Sequence, residues 1–183
     1  ADLTFSHVVV DKGEDAASRV LYLHRANEDQ TKRCYGLSPK YKAVDGSYSN
    51  GLITVSADLC FDFEEGQTPS YIVDFWERGN GGGATLVKFD YLAEALTINT
   101  YDYAVKLPES GQWFNIKVVI DTKRELMEVF IDEKSVLGYE TEMTNTCSHD
   151  YYGTSLPSGK VPGFSGIFFN CNTADTGMYM DNL

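Results

Sequence analysis

Hydrophobic and polar residues alternate with a period of two along almost the whole chain. From Phe114 to Asp121 the apolar residues Phe114, Ile116, Val118 and Ile120 are interleaved with Asn115, Lys117, Val119 and Asp121, the pattern of a strand that buries one face. Met127 to Asp132 repeats the pattern after the charged link Thr122-Lys-Arg-Glu125, so these two runs form a hairpin. The same reading predicts strands over Thr4–Val10, Val20–Arg25, Leu52–Phe63, Tyr71–Arg78, Thr85–Asp90, Leu96–Tyr103, Phe164–Asn170 and Met178–Asn182, about ten in all. Turn-rich pieces separate them, among them Asn50-Gly51, Glu65-Gly66, the glycine run Gly79–Gly83 and Pro108–Gly111. Only Tyr91–Leu96 and Lys12–Ser18 could be helical, and neither is long enough to cross between parallel strands. Many short strands without intervening helices predict an all-β protein, an antiparallel β-sandwich or jelly roll. No composition break or repeat divides residues 1–183 into more than one domain.

Composition narrows the function classes. The 183 residues hold 15 Lys+Arg against 27 Asp+Glu, a formal net charge of −12. A chain this acidic lacks the basic stripe that nucleic acid or an anionic membrane surface requires. No apolar run approaches the length of a membrane-spanning helix. Beside the acidity stands a high aromatic content, 13%, with 12 Tyr and 10 Phe. The four cysteines, Cys34, Cys60, Cys147 and Cys171, form no Cys-x-x-Cys pair, which argues against zinc and thioredoxin-type sites. They are either buried small side chains or two disulfides whose connectivity the spacing leaves open.

The segment Gly111-Gln-Trp-Phe-Asn-Ile-Lys-Val-Val-Ile-Asp121, followed by Leu126-Met-Glu-Val-Phe-Ile-Asp132, resembles the central hairpin of concanavalin A-like and laminin G-like jelly rolls. Gly163-Phe-Ser-Gly-Ile-Phe-Phe-Asn170 with Gly177-Met-Tyr-Met-Asp-Asn-Leu183 resembles their closing pair, whose last strand returns beside the N-terminal one. The resemblance implies that Trp113 plugs the core at a strand start and that Asp121 and Asp132 sit in turns. It also implies an extracellular setting, bacterial by the same likeness, as a carbohydrate-binding module, lectin-like appendage or catalytic domain of a larger polysaccharide-degrading protein. A structural calcium ion held in part by Asp181, the Asp of the closing Tyr-x-Asp-Asn motif, is a further implication.

The catalytic strings of such enzymes are missing. No Glu-x-Asp-x-x-Glu strand is present, and Glu140–Asn145 is the nearest approach. Asp58 and Asp62 share a strand face but stand roughly 13 Å apart, beyond the separation glycoside hydrolysis uses. Asp62 and Glu64 fit an inverting pair by spacing alone, yet they precede the Glu65-Gly66 turn and read as a solvated rim. The Arg-x-Glu-x-Arg and Gln-x-His strings of alginate-lyase-like members are absent, and Tyr41–Tyr48 matches their Tyr-x-Lys-x-Gly-x-Tyr stretch neither in spacing nor in place. His7, His24 and His149 are scattered.

The remaining aromatic and polar pattern suits binding, because sugars offer C–H faces to rings and hydroxyls to carboxylates and amides. Alternation puts Asp74, Trp76 and Arg78 on one face of their strand, opposite the core-like Tyr71, Val73 and Phe75. Asn99, Tyr101 and Tyr103 share a face of the Leu96–Tyr103 strand, and Tyr151 with Tyr152 could form a wall at the sandwich rim. Tyr22 and His24 lie opposite Leu21 and Leu23. The expected function is non-catalytic binding of a plant or other neutral polysaccharide or oligosaccharide, without nucleic acid and without membrane insertion. A lyase or hydrolase on the same fold and a protein-binding adhesin-like domain are the alternatives.

Overall fold

The computed structural model describes residues 8–11, 19–25, 52–76, 83–98, 101–121, 124, 126–142 and 166–182. These form β1 (Val8–Asp11), β2 (Arg19–Arg25), β3 (Leu52–Asp62), β4 (Ser70–Trp76), β5 (Gly83–Asp90), β6 (Ala95–Ile98), β7 (Tyr101–Tyr103), β8 (Trp113–Asp121), β9 (Leu126–Ile131), β10 (Lys134–Ser135), β11 (Thr141–Glu142), β12 (Gly166–Cys171) and β13 (Thr176–Asp181). No helix occurs among the described residues. The strands make two antiparallel sheets: an eight-stranded one ordered β1-β2-β13-β3-β8-β9-β10, with β11 also on β9, and a five-stranded one ordered β12-β4-β5-β6-β7.

Alternation explains the strands and their stacking together. Along β8 every second residue is buried, Phe114, Ile116, Val118 and Ile120, while Trp113, Asn115, Lys117, Val119 and Asp121 are half-buried on the other face. The predicted β8–β9 hairpin forms with Asp121 opposite Leu126. Its turn is closed by Asp121, whose Oδ1 accepts from the Arg124 backbone N–H at 3.1 Å.

Between the sheets, the fully buried ring of Phe61 from β3 stacks on Tyr71 from β4, with centroids 3.9 Å apart and planes within 1°. Phe89 and Phe114 meet the Phe61 ring edge-on, each at 5.0 Å. Tyr71 keeps its hydroxyl satisfied by donating to the Asp62 carbonyl at 3.1 Å. Aromatic pairs of this kind add about 0.5–1.5 kcal/mol each beyond the burial of their area.

Four expectations change. The predicted strand Leu96–Tyr103 is two strands, because Ile98 is paired with Tyr101 and Leu96 with Tyr103; an uninterrupted period of two hides a reversal this short. The helical reading of Tyr91–Leu96 gives way to a tight turn in which Asp90 Oδ1 accepts from the backbone N–H groups of Leu92 and Ala93, both at 3.1 Å. Trp113 does not plug the core: Phe114 takes the inward position, so its neighbour must face out. The last two strands separate, β12 joining β4 while β13 inserts between β2 and β3. Cys60 and Cys171 are buried with their sulfurs against the Phe61 and Leu23 carbonyls, and Cys34 and Cys147 lie outside the described residues.

Phe61→Ala removes the ring on which both sheets close. The expected loss is about 3–5 kcal/mol of unfolding free energy, measured by chemical denaturation; a loss below about 1 kcal/mol would show that the stack is not the keystone of the core.

Candidate functional site

Register brings together residues that are far apart in sequence. On the outer face of the eight-stranded sheet, Tyr22 of β2 is opposite Tyr179 of β13, Tyr179 is opposite Cys60 of β3, and Cys60 is opposite Trp113 of β8. The next row on the same face holds His24, Gly177 and Asp62, and the row on the other side holds Asp181, Asp58 and Asn115. Neighbouring strands lie about 4.8 Å apart, which is a stacking distance for rings carried by adjacent strands. Tyr22 and Tyr179 stack at 4.3 Å, Tyr22 and His24 at 5.8 Å, and Trp113 stands 6.5 Å from Tyr179 with its plane tilted by 47°.

Gly177 is what lets this cluster close. The Tyr22 ring lies across it, and a Cβ at position 177 would collide with the Tyr22 ring and hydroxyl. With no side chain in the way, Tyr22 spans β13 and donates its hydroxyl to Asp62 Oδ2 at 2.5 Å. Burial first, and then the hydrogen bond to Asp62, push the Tyr22 phenol well above its ordinary range. Tyr179 is shifted upward too, by burial and then by the Asp62 charge. Both phenols therefore stay protonated at neutral pH.

Beside the rings runs a carboxylate–amide ladder. Asp58 accepts from Asn115 Nδ2 at 2.7 Å through Oδ1 and from Asn182 Nδ2 at 2.6 Å through Oδ2. The Asn115 backbone N–H donates to Asp132 Oδ1 at 2.9 Å, with Asp132 at φ +48° in the turn expected for it. Lys117 is committed to Glu133 at 2.5 Å and lies over the Phe130 ring at 4.6 Å. This face therefore offers rings, amides and carboxylates, with its lysine already neutralised.

A calcium ion needs roughly six to eight oxygen ligands. Asp181 Oδ1 accepts from the Asn182 backbone N–H at 2.9 Å, and Asp58 opposite it is engaged by two amides. Among the described residues no group of three His, Cys, Asp or Glu gathers around an ion position. The described donors do not by themselves form a calcium shell.

No protein-family model matches the chain, and no curated protein matches it either. Solved structures do. Sheep galectin-11 in complex with glycerol superposes with a TM-score of 0.52 at 10% identity, covering 80% of this chain and 94% of that one. A sialidase gives 0.53 at 14% identity, with 95% of this chain lying on 15% of that one. A putative glycosyl hydrolase from Parabacteroides distasonis gives 0.50 at 11% identity, covering 88% and 77%. The fold is a concanavalin A-like jelly roll. At such identities the likeness is one of fold, and the jelly roll's chemistry has to be read from its own residues.

Of the expected site residues, those whose positions are described lie on β4, β7 and β13. Asp74 and Trp76 occupy alternate positions of β4, where pairing with β12 is unbroken and a bulge interrupts the pairing with β5 between Phe75 and Trp76. Their side chains, and Arg78 entirely, lie outside the described residues, as do Asn99, Tyr151 and Tyr152. Tyr101 and Tyr103 stand opposite Ile98 and Leu96 and so belong to the core-side parity of an edge strand; Tyr103 packs on the core, and Tyr101 is 62% exposed. The cluster that the structure does assemble, Tyr22, His24, Asp62, Trp113, Asn115 and Tyr179, was signalled in part by the alternation that sets Tyr22 and His24 against Leu21 and Leu23, and Trp113 against Phe114. Of the pair read as a solvated rim, Glu64 is exposed after β3, but Asp62 is half-buried and accepts from Tyr22.

Two outcomes follow from the Tyr22 crossing. Gly177→Ala displaces the ring from Asp62 and is expected to cost about 1–3 kcal/mol, with one tyrosine moving down toward the ordinary phenol range in an ultraviolet titration. Tyr22, Tyr71 and Tyr91 are each raised above the ordinary value of 10.0, mainly by burial. Their contribution to stability is whole below that pH and is lost as pH rises above it, because the unfolded chain ionises first. Denaturation midpoints should hold up to about pH 10 and then fall, less steeply in Tyr22→Phe; an unchanged slope in that variant would contradict the assignment.

Proposed function

We propose that the chain is a non-catalytic carbohydrate-binding domain that takes a neutral glycan on the outer face of its eight-stranded sheet. The observation that supports this most is the row of Tyr22, Tyr179 and Trp113 beside Asp62 and the Asp58–Asn115 ladder. Rings receive the C–H face of a pyranose, while amides and carboxylates receive its hydroxyls. The rings are held by one another and by the Tyr22–Asp62 bond, so little side-chain entropy is lost when a ligand arrives. The acidity of the face, with Lys117 paired to Glu133, disfavours uronates and other anionic sugars.

Setting and context extend the proposal. The jelly roll lies on 15% of a sialidase chain, which supports a role as one module of a larger protein; an extracellular, polysaccharide-degrading parent is part of the proposal. The second reading, an enzyme, has one observation in its favour: Tyr22, His24 and Asp62 meet on one face. Against it, a tyrosine acting as general base needs an ionisation near the working pH, and Tyr22 is pushed the other way.

Affinity gel electrophoresis on a panel of soluble neutral polysaccharides, with polygalacturonate as the anionic control, tests the proposal. Trp113→Ala and Tyr179→Ala are each expected to weaken binding at least about tenfold, the order of one lost aromatic contact, while circular dichroism stays unchanged. Full binding by Trp113→Ala, or retardation by polygalacturonate alone, would refute it. Release of reducing ends or unsaturated products would establish the enzyme reading instead.

A further inference from the structure

A second concavity lies away from the aromatic row. The exit from β3, the β5–β6 turn and the connection from β7 to β8 enclose an open groove of ≈ 450 Å³, lined by Phe63, Tyr91, Glu94, Val105–Glu109 and Ser110. None of these residues belongs to the outer-face cluster. The rings of Phe63 and Tyr91 lie 4.8 Å apart at 58° and pack on the core together with Val105 and Leu107. The polar atoms beside them are turned into the protein: the Tyr91 hydroxyl donates to the Pro108 carbonyl, and Ser110 Oγ donates to the Phe63 carbonyl at 2.7 Å and accepts from the Phe63 N–H at 3.1 Å. Rings and aliphatic surface are what these residues leave for a ligand.

Charge is confined to three side chains. Lys106 and Glu109 form an ion pair at 3.1 Å with both side chains largely in water, 83% and 72% exposed; such a pair is weakly held and can turn toward a ligand. Glu94 is the third, and its backbone sits at φ +51°, a left-handed conformation that favours glycine. A turn that would relax with glycine thus keeps a carboxylate at the groove wall.

We infer that this groove is a second ligand site, for a single neutral pyranose or the end of a short oligosaccharide. Its volume falls within the range of small-molecule sites. A pyranose brings one apolar face for Phe63 and Tyr91, and hydroxyls on its edge for the Glu94 and Glu109 carboxylates. Two carboxylates against one lysine repel an anionic sugar or a phosphate. The site adds grip on a chain end to the grip on a chain's face proposed for the outer row, and it stands whether or not that row binds.

The test is a ¹H–¹⁵N correlation titration of the whole domain with methyl β-glucopyranoside, methyl β-galactopyranoside and, as the anionic control, glucuronate. The expected result is a saturable shift of the amides of Tyr91–Glu94 and of Lys106, Leu107, Glu109 and Ser110 with at least one neutral glycoside and none with glucuronate. Glu94→Gly is expected to keep or raise the thermal midpoint, because the strain is relieved, while weakening binding at these amides about tenfold; a residue with only a structural role would not separate the two readouts. No saturable shift in the groove with either neutral glycoside, equal or better binding of glucuronate, or unchanged affinity in Glu94→Gly would overturn the inference. The amides of His24, Asp62 and Asn115 report the outer face separately, so shifts there with a silent groove overturn this site alone.

Discussion

The ring of Phe61, clamped between Tyr71 of the opposite sheet and the edges of Phe89 and Phe114, is the contact on which the rest of the molecule depends. Side chains alternate along a strand, so an inward Phe61 leaves Cys60 and Asp62 no choice but the outer face. β3 lies between β13 and β8, and its parity is transmitted through the register to both. Tyr179 and Gly177 on one side and Trp113 and Asn115 on the other are turned outward by the same constraint. Packing of the core and composition of the outer face are therefore two consequences of one register. A slip of one residue in β3 would bury Asp62 and expose Phe61.

The outer face achieves order without a second hydrophobic core. Tyr22 reaches across a strand to Asp62 because Gly177 has no side chain to obstruct it, and the rings of Tyr179 and His24 lie alongside. Asp58 is held by two amides and Lys117 by Glu133. The partners of Tyr22, Asp58, Asn115 and Lys117 keep them in position while ring surface stays half-exposed, an arrangement that suits a ligand with both apolar and hydroxyl-bearing sides. The net charge of −12 acts at longer range, keeping polyanions away and leaving neutral sugars indifferent.

Much of the fold was legible because it is local or periodic. The β8–β9 hairpin, the parity of Phe61 and Phe114 and the all-β class follow from alternation and turn chemistry alone. Shorter or less regular features escaped: the reversal between Ile98 and Tyr101 leaves no break in the pattern, and the two-residue strands β10 and β11 have too few positions to show any. The outer-face cluster was legible only in halves. Alternation sets Tyr22 and His24 outward, and it sets Trp113 outward as well once Phe114 is known to be inward, but the resemblance of Gly111-Gln-Trp113 to a core-plugging motif pointed the other way. That Tyr22, Asp62, Trp113 and Tyr179 converge depends on pairings between strands separated by up to 157 positions in sequence, as Tyr22 and Tyr179 are, and no pattern within one strand encodes such a pairing.

The chain has two tryptophans, one on the face assembled here and one on the strand that sequence reasoning favoured, so each can be made the sole reporter. Intrinsic fluorescence of Trp76→Phe, in which Trp113 alone emits, should change saturably as soluble β-glucan, xyloglucan or galactan is added, while Trp113→Phe should show little change and weaker binding. A saturable change in Trp113→Phe with a silent Trp76→Phe would place the glycan on the five-stranded sheet and contradict the account.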